Sequence, residues 1–324
     1  MTPLRSVDVT AHLPKYGTLQ SLASLLSIPE TQLLQIANSV DSYHRPGKTL
    51  KKKNGDPRPT HDAEEPLKTI HERIKNRILK KVSYPYYMLG GIADPVNPRS
   101  CHAHAKIHSG KKVLITEDIK DFFPRTTKDV VYKVWLRCFS FSPEVAGILT
   151  RLTTYQDELP QGWKTSGYLA NLVFWEREPQ LVSQLEKQGL AYSRFMDDIS
   201  ISSRRNLVNG EKRAIISSVY AMLFGEGYAP KRSKHSIVTP AEPMQVTSLN
   251  VNGRKPTIQK QQRHAVRAGI FKLEKQALED NTTDDFCKKW KSLSGKVGRI
   301  TTLHPKEGAK LRRRLNSIKP PLNR

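Results

Sequence analysis

The chain has 324 residues, enough for several subdomains around a substantial core. Its 54 Lys and Arg against 30 Asp and Glu leave a formal charge of +24, an excess that points to a polyanionic partner, most often nucleic acid, although a ribosomal-type or merely basic soluble protein shares that composition. No apolar run approaches the roughly 20 residues of a membrane span, the N-terminal residues lack a signal-peptide core, and Cys101, Cys138 and Cys287 form no CxxC pair, so the expectation is a cytoplasmic, nucleic-acid-facing protein rather than a membrane protein, zinc ribbon or disulfide scaffold.

Residues 1–50 read as a small helical region, with Leu19, Leu22, Leu25 and Leu26 at helical steps and Pro29-Glu30 opening a second helix that carries Leu33 and Leu34. The stretch KTLKKKNGDPRPT reads as a hairpin turning at Asn54-Gly55, with Lys51, Lys52, Lys53 and Arg58 on or beside it. Residues 66–82 predict a helix with Leu67, Ile70, Ile74, Ile78 and Leu79 on one stripe and basic side chains opposite. Tyr84 to Arg99, rich in Gly, Pro and aromatics, reads as loop. In KVLITEDIKDFF, Val113, Leu114 and Ile115 predict a buried strand that delivers Glu117, Asp118 and Asp121 at its end. Taken alone, such acids are most simply a solvent-facing cap.

In LPQGWKTSGYLANLVF, Gly162 allows close backbone approach to a ligand. Thr165 or Ser166 is placed to cap a helix from about Gly167 with Leu169, Leu172 and Val173 on its stripe. LAYSRFMDDISISS predicts a hairpin with Asp197-Asp198 at its tip, since Ile199 and Ile201 alternate with serines after the acidic pair. From Val251 onward 19 Lys and Arg stand against 6 Asp and Glu, so more than half of the net charge lies in less than a quarter of the chain. That tail reads as helical through Arg263, Val266, Ile270, Leu273 and Ala277, and ends in Lys310, Arg312, Arg313 and Arg314, a candidate phosphate-contacting run.

Adjacent carboxylates repel unless a cation lies between them. Asp118 with Asp197 and Asp198 therefore reads as a site for two Mg²⁺ ions, which prefer oxygen ligands and accompany substrate phosphates. An ordinary acidic turn is the competing reading of the pair by itself. The ordered set D-x-x-D-F-F, L-P-Q-G-x-x-x-S-x-x-L-A-N and F-x-D-D resembles the reverse transcriptases, and its details resemble the bacterial retron branch. The family's Asn-Ala-x-x-His element is matched by His104-Ala105-Lys106-Ile107-His108 with His for Asn, and its Val-Thr-Gly-Leu element by Val246-Thr247-Ser248-Leu249 with Ser for Gly. Phe195 replaces the common Tyr, and Gly167 the usual Pro.

The resemblance implies an α+β right-hand polymerase with fingers at 51–117, a palm at 118–252 into which finger helices are inserted at about 128–158, and a basic helical thumb at 253–324. It implies Asp118, Asp197 and Asp198 as catalytic metal ligands, with the Ile119 carbonyl as a further ligand. Arg58, Gln161, Gly162 and Lys234 would contact the nucleotide, Lys234 assisting the pyrophosphate, and Phe123 would be the gate against a ribose 2′-OH, or else core. Lys310, Arg312, Arg313, Arg314 and His108 are the candidate RNA contacts, although His102, His104 and His108 equally suit a fold-stabilising role. The partners implied are dNTPs, a structured noncoding RNA serving as template and primer, its branched RNA-linked DNA product (msDNA) started from a guanosine 2′-OH, and a separate effector in anti-phage defence. A different defence-associated or intron-derived reverse transcriptase, or an RNA–DNA-binding scaffold, are the alternatives.

Overall fold

The computed structural model describes residues 7–14, 16–51 and 55–321. The Lys51 side chain and residues 52–54, named above for the hairpin, lie outside the described residues. The strands flanking that turn do pair, with Leu50 opposite Arg58.

Five strands form the central sheet: β1 (Met88–Leu89), β2 (Val113–Asp118), β3 (Leu190–Phe195), β4 (Asp198–Ser203) and β5 (Ser236–Val238), in the order β5-β2-β4-β3-β1. Only the β1–β3 pairing is parallel. Two expectations change here. A strand, β1, lies within the stretch read as loop, and β2 is continuous through Asp118, so a fingers–palm boundary between 117 and 118 would cut β2. The physical reason is that β3 would otherwise lie at the sheet edge, and the two-residue β1 supplies its outer partner.

Alternation sorts the sheet into two faces. Val113, Ile115, Ile199 and Ile201 enter the main core, which also takes the helices Leu19–Leu26, Glu30–Asn38, Leu67–Arg77 and Pro143–Thr153. Leu114 faces the other way, joining a second core with the helix Cys101–Ile107 and the three helices Lys260–Glu279, Asp284–Leu303 and Pro305–Ser317. These last helices bury Val266, Ile270, Leu273, Phe286, Val297, Leu311 and Leu315, with basic residues outside that core.

His108 ends the helix Cys101–Ile107 and lies under the catalytic face of the sheet, fully buried, with Nδ1 2.7 Å from Ser202 Oγ and Nε2 2.8 Å from Ser193 Oγ. Burial holds its pKa well below the ordinary histidine value. This corrects its assignment as an RNA contact: no nucleic acid reaches a buried ring whose two nitrogens are both engaged. His104 is buried beside it and stacks on Phe195, with ring centroids 5.8 Å apart. His108→Ala leaves two buried serine hydroxyls unpaired, at about 1–3 kcal/mol for a buried polar group. Thermal unfolding should move down by several degrees, while the salt dependence of RNA binding stays as in the parent protein. A flattened salt slope would restore the phosphate-contact reading.

Candidate active site

Register brings the acids together. Asp198 stands opposite Asp118 on β2 and opposite Phe195 on β3, and Met196-Asp197 forms the turn between β3 and β4. Asp118 and Asp198 therefore share a face at the end of two neighbouring strands, with Asp197 beside them. Burial, then the Asp118 charge, raises the pKa of Asp197. Burial, then Asp197 and Asp118, pushes Asp198 up to about 6. Lys234 supplies the nearest cation, its Nζ donating to Asp118 Oδ2. Burial opposes the ammonium, but the bond and charge of Asp118 hold its pKa above the ordinary lysine value.

The turn rests on a buried support that sequence reasoning missed. Met196 sits at φ 58°, a region that L-residues adopt only when held there. Its N–H donates to Leu89 O at 3.2 Å, Arg194 Nη1 donates to its carbonyl at 3.1 Å, and Ile119 N–H donates to Asp197 O at 3.0 Å. Arg194 is completely buried and forked onto Glu178, Nε and Nη2 each 2.7 Å from a carboxylate oxygen, while Nη2 also reaches Asn171 O at 3.0 Å. Tyr192 donates to the same carboxylate at 2.7 Å. Burial opposes the charge of Arg194, and Glu178 outweighs it, so its pKa lies above the ordinary arginine value. The signal in the sequence was a lone Arg in the apolar strand LAYSRF, whose carboxylate partner Glu178 lies sixteen residues earlier.

Arg58 and Gln161, expected at the nucleotide, do meet: Arg58 Nε donates to Gln161 Oε1 at 2.8 Å. Next to them Gly162 takes φ 121°, and a Cβ there would lie 2.4 Å from His61 O, so only glycine fits. Thr165 occupies the cap position of the helix Ser166–Leu172 without a side-chain capping bond, a departure from the expected cap. Phe122 and Phe123 separate cleanly: Phe122 is core, stacked on Phe174, whereas Phe123 is half-buried beyond it, with ring centroids 5.8 Å apart.

The basic run in the helix Pro305–Ser317 divides in the same way. Arg312 donates to Ser294 Oγ at 2.7 Å and its carbonyl at 2.9 Å, and Arg314 pairs with Glu274 at 2.6 Å. Arg312, which is half-buried, and Arg314, which is exposed, thus join helices of the C-terminal bundle. Lys310 and Arg313 remain exposed. The second retron-like signature contacts the helix that carries the first, since Thr247 Oγ1 donates to Cys101 O at 3.1 Å. Ser248 has φ 63°, the conformation that the family's glycine takes without strain.

Residues 50–261 match the family described as reverse transcriptase (RNA-dependent DNA polymerase). The chain is 31% identical to the Retron Se72 reverse transcriptase of Salmonella heidelberg, over 94% of this chain and 80% of that protein. It belongs to the retron reverse transcriptases. The Retron Ec48 reverse transcriptase of Escherichia coli is 27% identical over 94% of this chain and 76% of its own. Among solved structures, apo telomerase from Candida tropicalis aligns with a TM-score of 0.45 and 9% identity, over 72% of this chain and 61% of that one. As a member of that family the retron enzyme is an RNA-directed DNA polymerase of right-hand fold, and among its described residues no helix is long and apolar enough to cross a membrane.

Reverse transcriptases generally work with divalent metal ions, and the donor set here suits one. Three carboxylates offer only oxygens, and the raised pKa of two of them marks a place short of positive charge. Among the described residues no three His, Cys, Asp or Glu side chains close around one point, so an ion held here would complete its shell with water and nucleotide phosphates. A carboxyl whose folded pKa lies above its unfolded value is favourable when protonated and loses stability as pH rises through the folded value. The metal-free retron enzyme should therefore lose stability as pH rises from the ordinary carboxylate range past about 6. Mg²⁺ should raise the unfolding midpoint more at about pH 7.5 than at about pH 5, because cation binding displaces protons. Asp197→Asn with Asp198→Asn should abolish that difference. Melting curves across a Mg²⁺ series at both pH values check it, equal shifts being the contrary result.

Proposed function

We propose that this enzyme reverse transcribes part of a structured noncoding RNA into msDNA, a single-stranded DNA left joined to its RNA through a guanosine 2′-OH, and that it acts with a separate effector in anti-phage defence in the cytoplasm. The observation that carries the polymerase chemistry is the convergence of Asp118, Asp197 and Asp198 at one corner of the sheet, short of positive charge. In this reading those carboxylates, with the Ile119 carbonyl as an extra donor, would hold two Mg²⁺ ions, whose chemistry when bound would be activation of a hydroxyl and neutralisation of pyrophosphate charge. Lys234 faces the pyrophosphate and supplies it a proton. Arg58 holds the triphosphate from the fingers, and Gln161 and Gly162 border the incoming base pair.

In this reading fingers, palm and thumb succeed one another along the chain, with the palm from about residue 88 and the thumb from 253. Lys310 and Arg313, on the outer face of the last thumb helix, are the candidates for RNA phosphates. A scaffold without catalysis has no use for crowded carboxylates, which are costly to keep charged.

Asp197→Asn with Asp198→Asn keeps shape and removes charge, so DNA synthesis on the copurified RNA should vanish while RNA binding persists. Primer extension and filter binding measure the two, and near-parental extension would defeat the assignment. Sequencing the nucleic acid that copurifies with the parent enzyme tests the product, a branched RNA–DNA species being expected.

Phe123 is proposed as the sugar gate. Its ring is half-buried against Phe122 and lies five residues beyond Asp118, leaving one face for a nucleotide sugar. Phe123→Ala should raise ribonucleotide incorporation relative to deoxyribonucleotide in single-nucleotide extension. Loss of stability with unchanged sugar preference would return Phe123 to a packing role, in which truncation of a fully buried Phe costs about 3–5 kcal/mol.

A further inference from the structure

We propose that His235, held by the buried carboxylate of Glu117, is a positioning residue that fixes Lys234 from the opposite face of the palm sheet. The inference rests on the reading of Lys234 given above and extends it to residues on the other side of β2.

The edge of the sheet is interrupted where Lys234 enters. Ser236 pairs with Thr116 on β2, and further up the chain Pro230 bridges Ile119. Between those two pairings β2 contributes only Glu117 and Asp118, whereas the edge segment contributes residues 231–235. The surplus is taken up in a short 3₁₀ turn, Arg232–Lys234. Across this bulge Lys231 N–H still donates to Asp118 O at 2.7 Å, but Lys234 and His235 donate their N–H groups back to Lys231 and Arg232 rather than to β2. Bulges of this kind commonly re-aim a side chain beside an active site. They also remove ladder bonds that would otherwise hold the backbone in place.

Alternation supplies the replacement. Glu117 and Asp118 are consecutive on a strand and point to opposite faces, and Lys234 and His235 are consecutive on the bulge and do the same. Lys234 reaches Asp118 on the catalytic face. His235 Nδ1 lies 2.6 Å from Glu117 Oε1 on the other. The second oxygen of Glu117 accepts from Tyr220 at 3.3 Å, and Tyr220 belongs to the helix Asn209–Gly225 packed behind the sheet. The Glu117 side chain is 0% exposed, whereas His235 is 32% and Lys234 49% exposed. The buried end is therefore the fixed one.

A carboxylate at a position flanked on its own face by Ile115 and Ile199 gains nothing from burial that a leucine would not gain, and it must be desolvated. Its use lies in what it holds. With His235 anchored, the lysine backbone is located to within the play of one turn. Without it, a long flexible side chain hangs from an unladdered segment, and its ammonium spends less time at the carboxylates.

Single-turnover incorporation of one dNTP, read as maximal rate and nucleotide Kd, tests this together with melting curves. Lys234→Ala should lower the maximal rate by roughly 10²-fold, the low end for a positioned proton donor, and His235→Ala by about tenfold. Nucleotide Kd should stay within about twofold for both, since the lost interaction belongs to the transition state. His235→Asn, which keeps a donor near the Nδ1 position, should recover most of the rate. Lys234→Ala with His235→Ala should be no slower than Lys234→Ala alone, because His235 acts only through Lys234.

A purely structural His235 would instead lower the melting point and the active fraction, and its effect would add to that of Lys234→Ala. Additive losses, or a slow Lys234→Ala beside a normal His235→Ala, would overturn the positioning role while leaving Lys234 in place. A normal rate for Lys234→Ala would overturn the Lys234 reading itself and the positioning role with it.

Discussion

Three carboxylates crowded at one end of two strands repel one another, and much of the palm is arranged to keep them together. Asp118 and Asp198 are opposite each other in register, so no slip of one residue is tolerated: it would turn one acid to the other face. The pKa of Asp198, pushed up to about 6 by burial and its two neighbours, records the strain of that placement. Carboxylates placed in this way are costly to keep charged without a cation between them.

Holding such a site open takes rigid support, and the support is polar where a core would ordinarily be apolar. Arg194 and Glu178 are both fully buried, and a buried ion pair seldom adds stability over well-packed hydrophobic residues of similar volume. What this pair adds is direction. A planar fork fixed on Glu178 leaves Arg194 Nη1 aimed at the Met196 carbonyl, and the turn that carries Asp197 is locked in an unfavourable backbone conformation. His108 does related work lower on the same face, where its ring joins a serine of β3 to a serine of β4. The catalytic hairpin is therefore tied on three sides, to Leu89, to Arg194 and to the strand carrying Asp118.

The large positive charge is likewise put to more than one use. Arg312, Arg314, Arg263 and Arg267 bind partners within the thumb, the last two both on Glu307. Lys310 and Arg313 on the same final helix face solvent. Cations paired with neighbouring helices and cations left to solvent thus alternate along a few residues, and a count of cations does not separate them.

Local patterning was enough for the helices of residues 19–38 and 67–77, for the apolar run that became β2 and for the hairpin presenting Asp197 and Asp198, because each depends on the spacing of neighbouring residues. The ordered acidic and Gly-containing motifs carried the polymerase resemblance for the same reason: they are short and contiguous. Other features depended on pairs far apart in the chain. Arg58 meets Gln161, Arg194 meets Glu178 and His235 meets Glu117 only once strands and helices are packed. β1 escaped notice because two residues carry no period. His108 and the arginine run could not be divided into buried and exposed from their spacing, since a histidine or arginine is at home in either place and only its three-dimensional neighbours settle which. The chain's own letters therefore name the chemistry, while the fold decides which charges perform it and which hold it still.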